Sequence, residues 1–288
     1  MSVGTLPEAG TIAHQYMRLD KLPHIWCEGC GHGIVMQSTI RAIHKLGLDR
    51  DKTAIVSGIG CSSRAPGYMD FNTLHTTHGR ALAFATGVKL ARPELTVIVL
   101  SGDGDLSAIG GNHFIHAARR NIDITTICMN NSIYGMTSGQ YSPMTPQGAL
   151  ATTAPYGNAD RSFDLCELAK AAGATYVARS TTYHVQAMID LITRAIKHKG
   201  FSFVETFSQC PTYYGRRNKQ GDGPAMMEMY RKNTISVKLW DKTPPEQREG
   251  KAVIGELYVG EAPEYCEQYD KVIERAQAKL RKTQGVSQ

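Results

Sequence analysis

An aspartate and an asparagine, each just past the end of a buried strand, constrain this chain more than any other feature. Gly102-Asp103-Gly104 follows the apolar run Thr96-Val97-Ile98-Val99-Leu100, and Asn130-Asn131 follows a second run from Ile124 to Met129. The interval between them accommodates a crossover helix and the next strand, which makes one βαβ unit with both loops on the same sheet edge. Oxygens of Asp103 and Asn131 can then hold one Mg²⁺ and leave coordination positions for a diphosphate. A GDG triplet alone reads as a plain turn. The flanking strands and the paired asparagines make it specific.

From Pro23 onward, strand-like runs alternate with amphipathic helical stretches. Strands are predicted at 53–57, 95–100, 124–129, 175–178 and 201–206, and helices at 31–45, 80–91, 108–120, 163–172 and 183–198. This pattern predicts an α/β fold, an open, mostly parallel sheet with helices on both faces. At 288 residues and 42% hydrophobic content the chain suits one full core with appended ends. The expected divisions are an N-terminal arm (1–22), a binding domain (23–214) and a C-terminal extension (215–288). In the extension a strand at 252–259 and a charged helix at 265–282 are expected to wrap over a neighbouring subunit, and a Met-rich run at 224–229 reads as an adaptable packing surface.

Neither a signal peptide nor a membrane span is legible, so a soluble, cytoplasmic protein is expected. The net charge of +6 is dispersed except at Arg216-Arg217-Asn218-Lys219 and along 271–282. Without interleaved aromatics these runs do not make a nucleic-acid platform. They read as solvated faces, or as a patch that steers an acidic electron-carrier protein.

Seven cysteines, an odd count, argue against a disulfide framework and for thiols used as ligands. Cys128, Cys166 and Cys266 fall on a strand and two helices and read as packing residues. Cys27 and Cys30 form a CxxC loop, whereas Cys61 and Cys210 each follow a different strand and so reach the same sheet edge as Asp103 and Asn131. Four thiolates suit either tetrahedral zinc or an iron-sulfur cluster, and spacing alone leaves both open.

The segments Ser101-Gly102-Asp103-Gly104-Asp105 and Asn130-Asn131-Ser132-Ile133-Tyr134-Gly135-Met136-Thr137 resemble the thiamine-diphosphate motif in the beta subunit of 2-oxoacid:ferredoxin oxidoreductases. The resemblance runs from about Pro23 to Tyr214. It implies Mg²⁺ ligation by Asp103, Asn131 and the Ile133 carbonyl. It also implies cofactor contacts from Gly60, Ser62 and Ser63, from His78, from Gly102 through Asp105, and from Asn131, Gly135, Met136 and Thr137. The family's WCxGCG, GIGC and Cys-Pro loops match Cys27 and Cys30, Cys61, and Cys210, implying a 4Fe-4S cluster. A redox-inert zinc beside thiamine diphosphate would contribute nothing to an oxidation.

The implied reaction is oxidative decarboxylation of a 2-oxoacid with coenzyme A and ferredoxin, or its reversal as reductive carboxylation of the kind a reductive TCA cycle uses. Arg64, three residues past Cys61, reads either as a surface arginine or as a grip for a substrate carboxylate. The resemblance favours the second and, with it, 2-oxoglutarate over pyruvate or other 2-oxoacids. His78 in His75-Thr76-Thr77-His78-Gly79-Arg80 is a candidate proton relay or a capping residue. The glutamate that activates the aminopyrimidine ring has no second sheet here to carry it, so an alpha subunit is expected to supply it, most simply in a heterotetramer of two alpha and two beta chains. The rival readings are a non-oxidative thiamine-dependent decarboxylase with structural zinc, and an electron-relay subunit without thiamine.

Overall fold

A computed structural model describes residues 10–283; the first nine residues of the expected arm lie outside that range. Strands β1 (Thr53–Ser57), β2 (Asn72–His75), β3 (Thr96–Gly102), β4 (Thr125–Asn130), β5 (Tyr176–Thr181) and β6 (Ser202–Phe207) are all parallel. With β7 (Thr234–Ser236) and β8 (Ala252–Val259) they form one eight-stranded sheet in the order β2-β1-β3-β4-β6-β5-β8-β7. The predicted strands and crossover helices all form, with ends moved by a few residues. β2 and the three-residue β7 are the unanticipated ones, and β2 is the one beside the site. Strand β2 is a short, polar edge strand held only by β1, and its four residues carry too little alternation to be read from sequence.

Successive residues of each central strand point to opposite faces, and the two cores follow from that alternation. Ile55, Ile98, Leu100 and Ile127 pack on one face against Met36, Ile40 and Ile43 of helix His32–Leu46 and Met188 and Ile192 of helix Val185–Lys197. Val56, Val97, Val99 and Phe203 pack on the other against Leu82, Phe114 and Leu165 of helices Ala81–Ala91, Gly111–Arg120 and Leu165–Ala172. Cys128, Cys166 and Cys266 all lie buried in this second core, as expected of packing residues.

The chain leaves β1 for β2 on one side and then returns to place β3 on the other, so strand order reverses between β1 and β3. Such a switch point opens a crevice at the carboxyl ends of the strands, and the loops after β1, β3 and β4 all meet there. The C-terminal extension is more integrated than its composition suggested. β8 adds to β5 antiparallel, and Met226 and Gly223 of helix Gly223–Lys232 pack against the turn after Cys210 and against Gly29. Helix Tyr265–Thr283 stands mostly exposed, with Tyr269, Val272, Ile273 and Leu280 open to solvent. Among the described residues no helix is long and apolar enough to cross a membrane.

Candidate active site

At the switch point, residues from four loops line one cavity of about 90 Å³: Gly60 to Ser62 after β1, His78 after β2, Gly102 to Asp105 at the end of β3, and Asn131 and Ile133 to Thr137 after β4. Strand β3 runs on to Gly102, and a one-turn helix, Asp103–Ser107, begins at the aspartate itself. The GDG triplet is therefore a strand-to-helix junction and not an open turn. Asp103 is only 2% exposed. Burial pushes its carboxyl up to about 7 even though Ser142 donates to its Oδ2. A carboxylate so placed calls for a counter-charge. Asn131 and Ile133 line the same cavity, and Asn131 Oδ1 accepts from Ile133 N at 3.3 Å. One carboxylate, one amide oxygen and one carbonyl make an all-oxygen donor set suited to Mg²⁺.

The walls also fit a diphosphate. Ser62 lines the cavity with a buried hydroxyl that lacks a partner, and the neighbouring Ser63 hydroxyl is orphaned as well. Buried polar groups without partners are rare, and a polar ligand in the cavity would satisfy Ser62, whereas Ser63 does not line it. Met136 is nearly half exposed at the rim, in the position expected of a loop that folds over a cofactor.

Asp105, expected at the cofactor, lines the cavity, yet its oxygens are spent within the protein. Oδ1 accepts from Gly79 N at 2.7 Å and Ile59 N at 3.2 Å and pairs with His78 Nδ1; Oδ2 accepts from the Ser101 hydroxyl at 2.7 Å. One buried carboxylate thus ties together the loops after β1, β2 and β3. It also fixes the His78 ring, leaving Nε2 as the nitrogen available to a ligand. The knot has no room for a methyl group at Gly58, where a Cβ would sit 2.1 Å from Asp105 Oδ2. Gly58→Ala is expected to lower stability by about 1–3 kcal/mol through overpacking, read as a fall in melting temperature, while Gly111→Ala, with open space at its Cβ, serves as the neutral control.

Cys27, Cys30, Cys61 and Cys210 ring a second cavity of about 220 Å³, which Arg64 also lines. The CxxC loop is stapled to its neighbours. Trp26 Nε1 donates to the Cys61 carbonyl at 2.7 Å, Gly31 N donates to the Gln209 carbonyl at 3.0 Å, and His32 Nδ1 and Ser208 Oγ are 2.8 Å apart. Gly31 cannot carry a side chain, because a Cβ would lie 2.5 Å from Gln209 Oε1. Burial, reinforced by the other thiolates, pushes Cys30 up to about 12 and Cys61 up to about 11. Four thiolates coexist in such a place around a cationic core. Four thiols lining one volume can take either a zinc ion or a polynuclear cluster.

Residues 58–206 match the family model described as thiamine pyrophosphate enzyme, C-terminal TPP binding domain. The 2-oxoglutarate synthase subunit KorB of Methanothermobacter marburgensis is 52% identical over 266 residues, covering 92% of this chain and 93% of that one. Its counterpart of the same name from Methanocaldococcus jannaschii is 54% identical over 263 residues, covering 91% and 97%. A solved 2-oxoglutarate:ferredoxin oxidoreductase from Magnetococcus marinus, with 2-oxoglutarate, coenzyme A and succinyl-CoA bound, aligns with a TM-score of 0.82 at 36% identity, over 96% of this chain and 94% of that one. The chain belongs to the 2-oxoacid:ferredoxin oxidoreductase beta-subunit family.

Within this 2-oxoacid:ferredoxin oxidoreductase beta chain, the matched thiamine segment contains Cys61 but not Cys27, Cys30 or Cys210. The three remaining thiols come from segments outside it. Reading the sequence did not single out Ser142, which donates to Asp103, or Trp26 as a clamp on the Cys61 loop. It also missed Glu205, buried in β6 within bonding distance of Asn130. Ser142 and Glu205 belong to no spaced motif, and Trp26, the first residue of the WCxGCG loop, was the one visible signal.

Proposed function

We propose that this chain is the thiamine-diphosphate subunit of a 2-oxoglutarate:ferredoxin oxidoreductase, which converts the 2-oxoacid and coenzyme A to an acyl-CoA and CO₂. The observation that carries the reading is the wall shared by the two cavities: Cys61, Asn131, Gly135 and Met136 line both. A Cβ at Gly135 would sit 3.2 Å from Cys61 Sγ and 3.9 Å from Cys210 Sγ, so at Gly135 a bare backbone separates the oxygen-lined site from the thiol ring. When bound, thiamine diphosphate supplies the carbanion chemistry for losing CO₂, and a 4Fe-4S cluster supplies a one-electron acceptor next to it.

In this reading Asp103, Asn131 and the Ile133 carbonyl hold Mg²⁺, with the Gly60 and Ser62 backbone, the Ser62 hydroxyl and the Gly102-Gly104 segment around the diphosphate. Gly135 and Met136, with Thr137, close over it. Cys27, Cys30, Cys61 and Cys210 hold the cluster. His78, oriented by Asp105, offers Nε2 to the reacting centre as a proton donor or acceptor.

Arg64 stands at the mouth of the thiol cavity and pairs with the distal carboxylate of 2-oxoglutarate. A charge-assisted hydrogen bond contributes about 1.5–3 kcal/mol. Arg64→Met should therefore raise KM for 2-oxoglutarate by roughly 10- to 100-fold while leaving turnover of 2-oxobutyrate, which lacks that carboxylate, nearly unchanged. Equal losses on both substrates would remove Arg64 from substrate binding.

An alpha subunit completes the site with the glutamate for the pyrimidine ring, in a heterotetramer of two alpha and two beta chains, and the exposed apolar face of helix Tyr265–Thr283 suits a subunit contact. Ferredoxin accepts the electrons. Arg216, Arg217 and Lys219, exposed just beyond the Cys210 turn, suit an acidic carrier. All seven cysteines are free thiols, in keeping with a cytoplasmic setting. The deciding experiment is anaerobic purification of the chain with its partner, followed by iron and thiamine analysis and assay of ferredoxin reduction dependent on 2-oxoglutarate and coenzyme A. A colourless zinc protein would overturn the reading, as would a chain that is equally active without its partner.

A further inference from the structure

Strand β6 carries a charged residue in the middle of the sheet. Glu205 is fully buried, in register with Arg179 of β5 on one side and Cys128 of β4 on the other. Its Oε2 accepts from Arg179 Nε at 2.6 Å, and its Oε1 accepts from Asn130 Nδ2 at 2.8 Å. Arg179 continues outward to Asp164, which caps helix Leu165–Ala172 by accepting from Cys166 N and Glu167 N. A buried ion pair is seldom the most stable filling for a core position, so its presence asks for another purpose.

The purpose is visible at the far end of Asn130. Its Oδ1 accepts from Ser132 N at 3.0 Å, and Ser132 is a non-glycine residue at φ +59, in the left-handed region. An L-residue occupies that conformation only where its surroundings impose it. Ser132 lies between Asn131 and Ile133, the two β4-loop residues assigned to Mg²⁺ above, and its backbone bend sets where the Ile133 carbonyl faces. Thr145 Oγ1 holds the same residue from its other side by donating to the Ser132 carbonyl at 2.6 Å.

We propose that Glu205 is a positioning residue for the cation site: anchored by Arg179, it fixes the Asn130 amide, which imposes the left-handed bend at Ser132 and so presents Asn131 and Ile133 to the divalent ion. The proposal rests on the Mg²⁺ reading of the previous section. An Asn130 amide released from Glu205 can flip, turning its NH₂ toward Ser132 N and removing the acceptor that sustains the bend. Outer partners of metal ligands commonly change metal affinity by about 10- to 100-fold.

The test uses the purified complex with its partner subunit, stripped of metal and titrated with Mn²⁺ in the presence of thiamine diphosphate, with bound Mn²⁺ read by electron paramagnetic resonance and melting temperature measured on the metal-free protein. Asn130→Ala keeps the ion pair and removes only the link. It is expected to weaken Mn²⁺ binding at least tenfold, beyond what any fall in its melting temperature matches in Asp164→Ala, and Glu205→Gln should weaken it comparably. The double variant Asn130→Asp with Glu205→Gln exchanges donor and acceptor between the two residues and should restore affinity to within about threefold of native, well short of the ~10- to 100-fold loss that follows a lost outer partner. Asp164→Ala removes a helix cap and should lower the melting temperature while leaving Mn²⁺ affinity unchanged. Native affinity in both single variants overturns the proposal. So does a loss that tracks melting temperature across all variants, Asp164→Ala included. Asp103→Ala in the same titration separates the two levels: if it too binds Mn²⁺ normally, the cation-site reading itself fails, whereas loss there with none at Glu205 removes the positioning role alone.

Discussion

Asp103→Ala is expected to yield a folded protein that no longer retains thiamine diphosphate. Two carboxylates line the diphosphate cavity, Asp103 and Asp105, and the oxygens of Asp105 are committed to Ile59, His78, Gly79 and Ser101. Asp103 is left to supply the negative charge that a divalent cation needs. The loss of a charged ligand is a matter of several kcal/mol, on the order of a thousandfold in turnover at fixed cofactor concentration. The fold should survive, because this carboxylate does not stabilise the metal-free protein at neutral pH. Burial raises its pKa from 3.8 to about 7, so whatever it contributes is present below pH 4 and is lost as pH rises through 7. The metal-free variant should therefore melt no lower than the metal-free native protein above pH 7. Added Mg²⁺ with thiamine diphosphate should raise the melting temperature of the native protein alone. Undiminished thiamine content after gel filtration of the variant would count decisively against the assignment.

The gathering of Asp103, Asn131, Cys61 and Cys210 was legible from the sequence because topology alone imposes it. In a parallel sheet every carboxyl end faces the same way, so four residues that each follow a strand must share an edge. What stayed hidden depends on which strands are neighbours. Asp105 sits two residues past Asp103 and looks like part of the same motif, but its function follows from β1, β2 and β3 standing side by side. Glu205 lies in Ser202-Phe203-Val204-Glu205-Thr206-Phe207, which reads as a strand with one awkward residue. Its partners are one strand away on either side in the sheet, yet far away in the chain. The strand at 252–259 was visible as an element, whereas its antiparallel seat on β5 was not, since nothing local to that segment specifies the neighbour. β2 escaped notice for a different reason: an edge strand with one exposed flank has little need of apolar residues.

Cys210→Ser should produce the opposite dissociation, with iron lost or reduced and thiamine diphosphate retained. Cys210 is 8% exposed and begins the π-helical turn Pro211–Gly215. Its backbone is held independently of its sulfur: Gly215 N donates to the Cys210 carbonyl at 2.9 Å, and the preceding residue is tied to Gly31. Exchange of sulfur for oxygen therefore leaves the loop in place and removes one soft ligand from the thiol ring. Reduction of ferredoxin should fall to background, while Mg²⁺ binding stays at the native level because its proposed ligands Asp103, Asn131 and Ile133 are untouched. The 2-oxoacid should still lose CO₂ at a slow rate, since decarboxylation requires the oxygen-lined cavity and only the subsequent oxidation requires the thiols. Cys61→Ser provides the sharper comparison, because Cys61 lines both cavities and lies against Gly135. Its loss should remove iron as Cys210→Ser does and, in addition, loosen the diphosphate loop enough to weaken thiamine retention. Native iron content in Cys210→Ser would break the four-thiol assignment, and loss of thiamine in that variant would show that the two cavities are a single folding unit and not two adjoining sites.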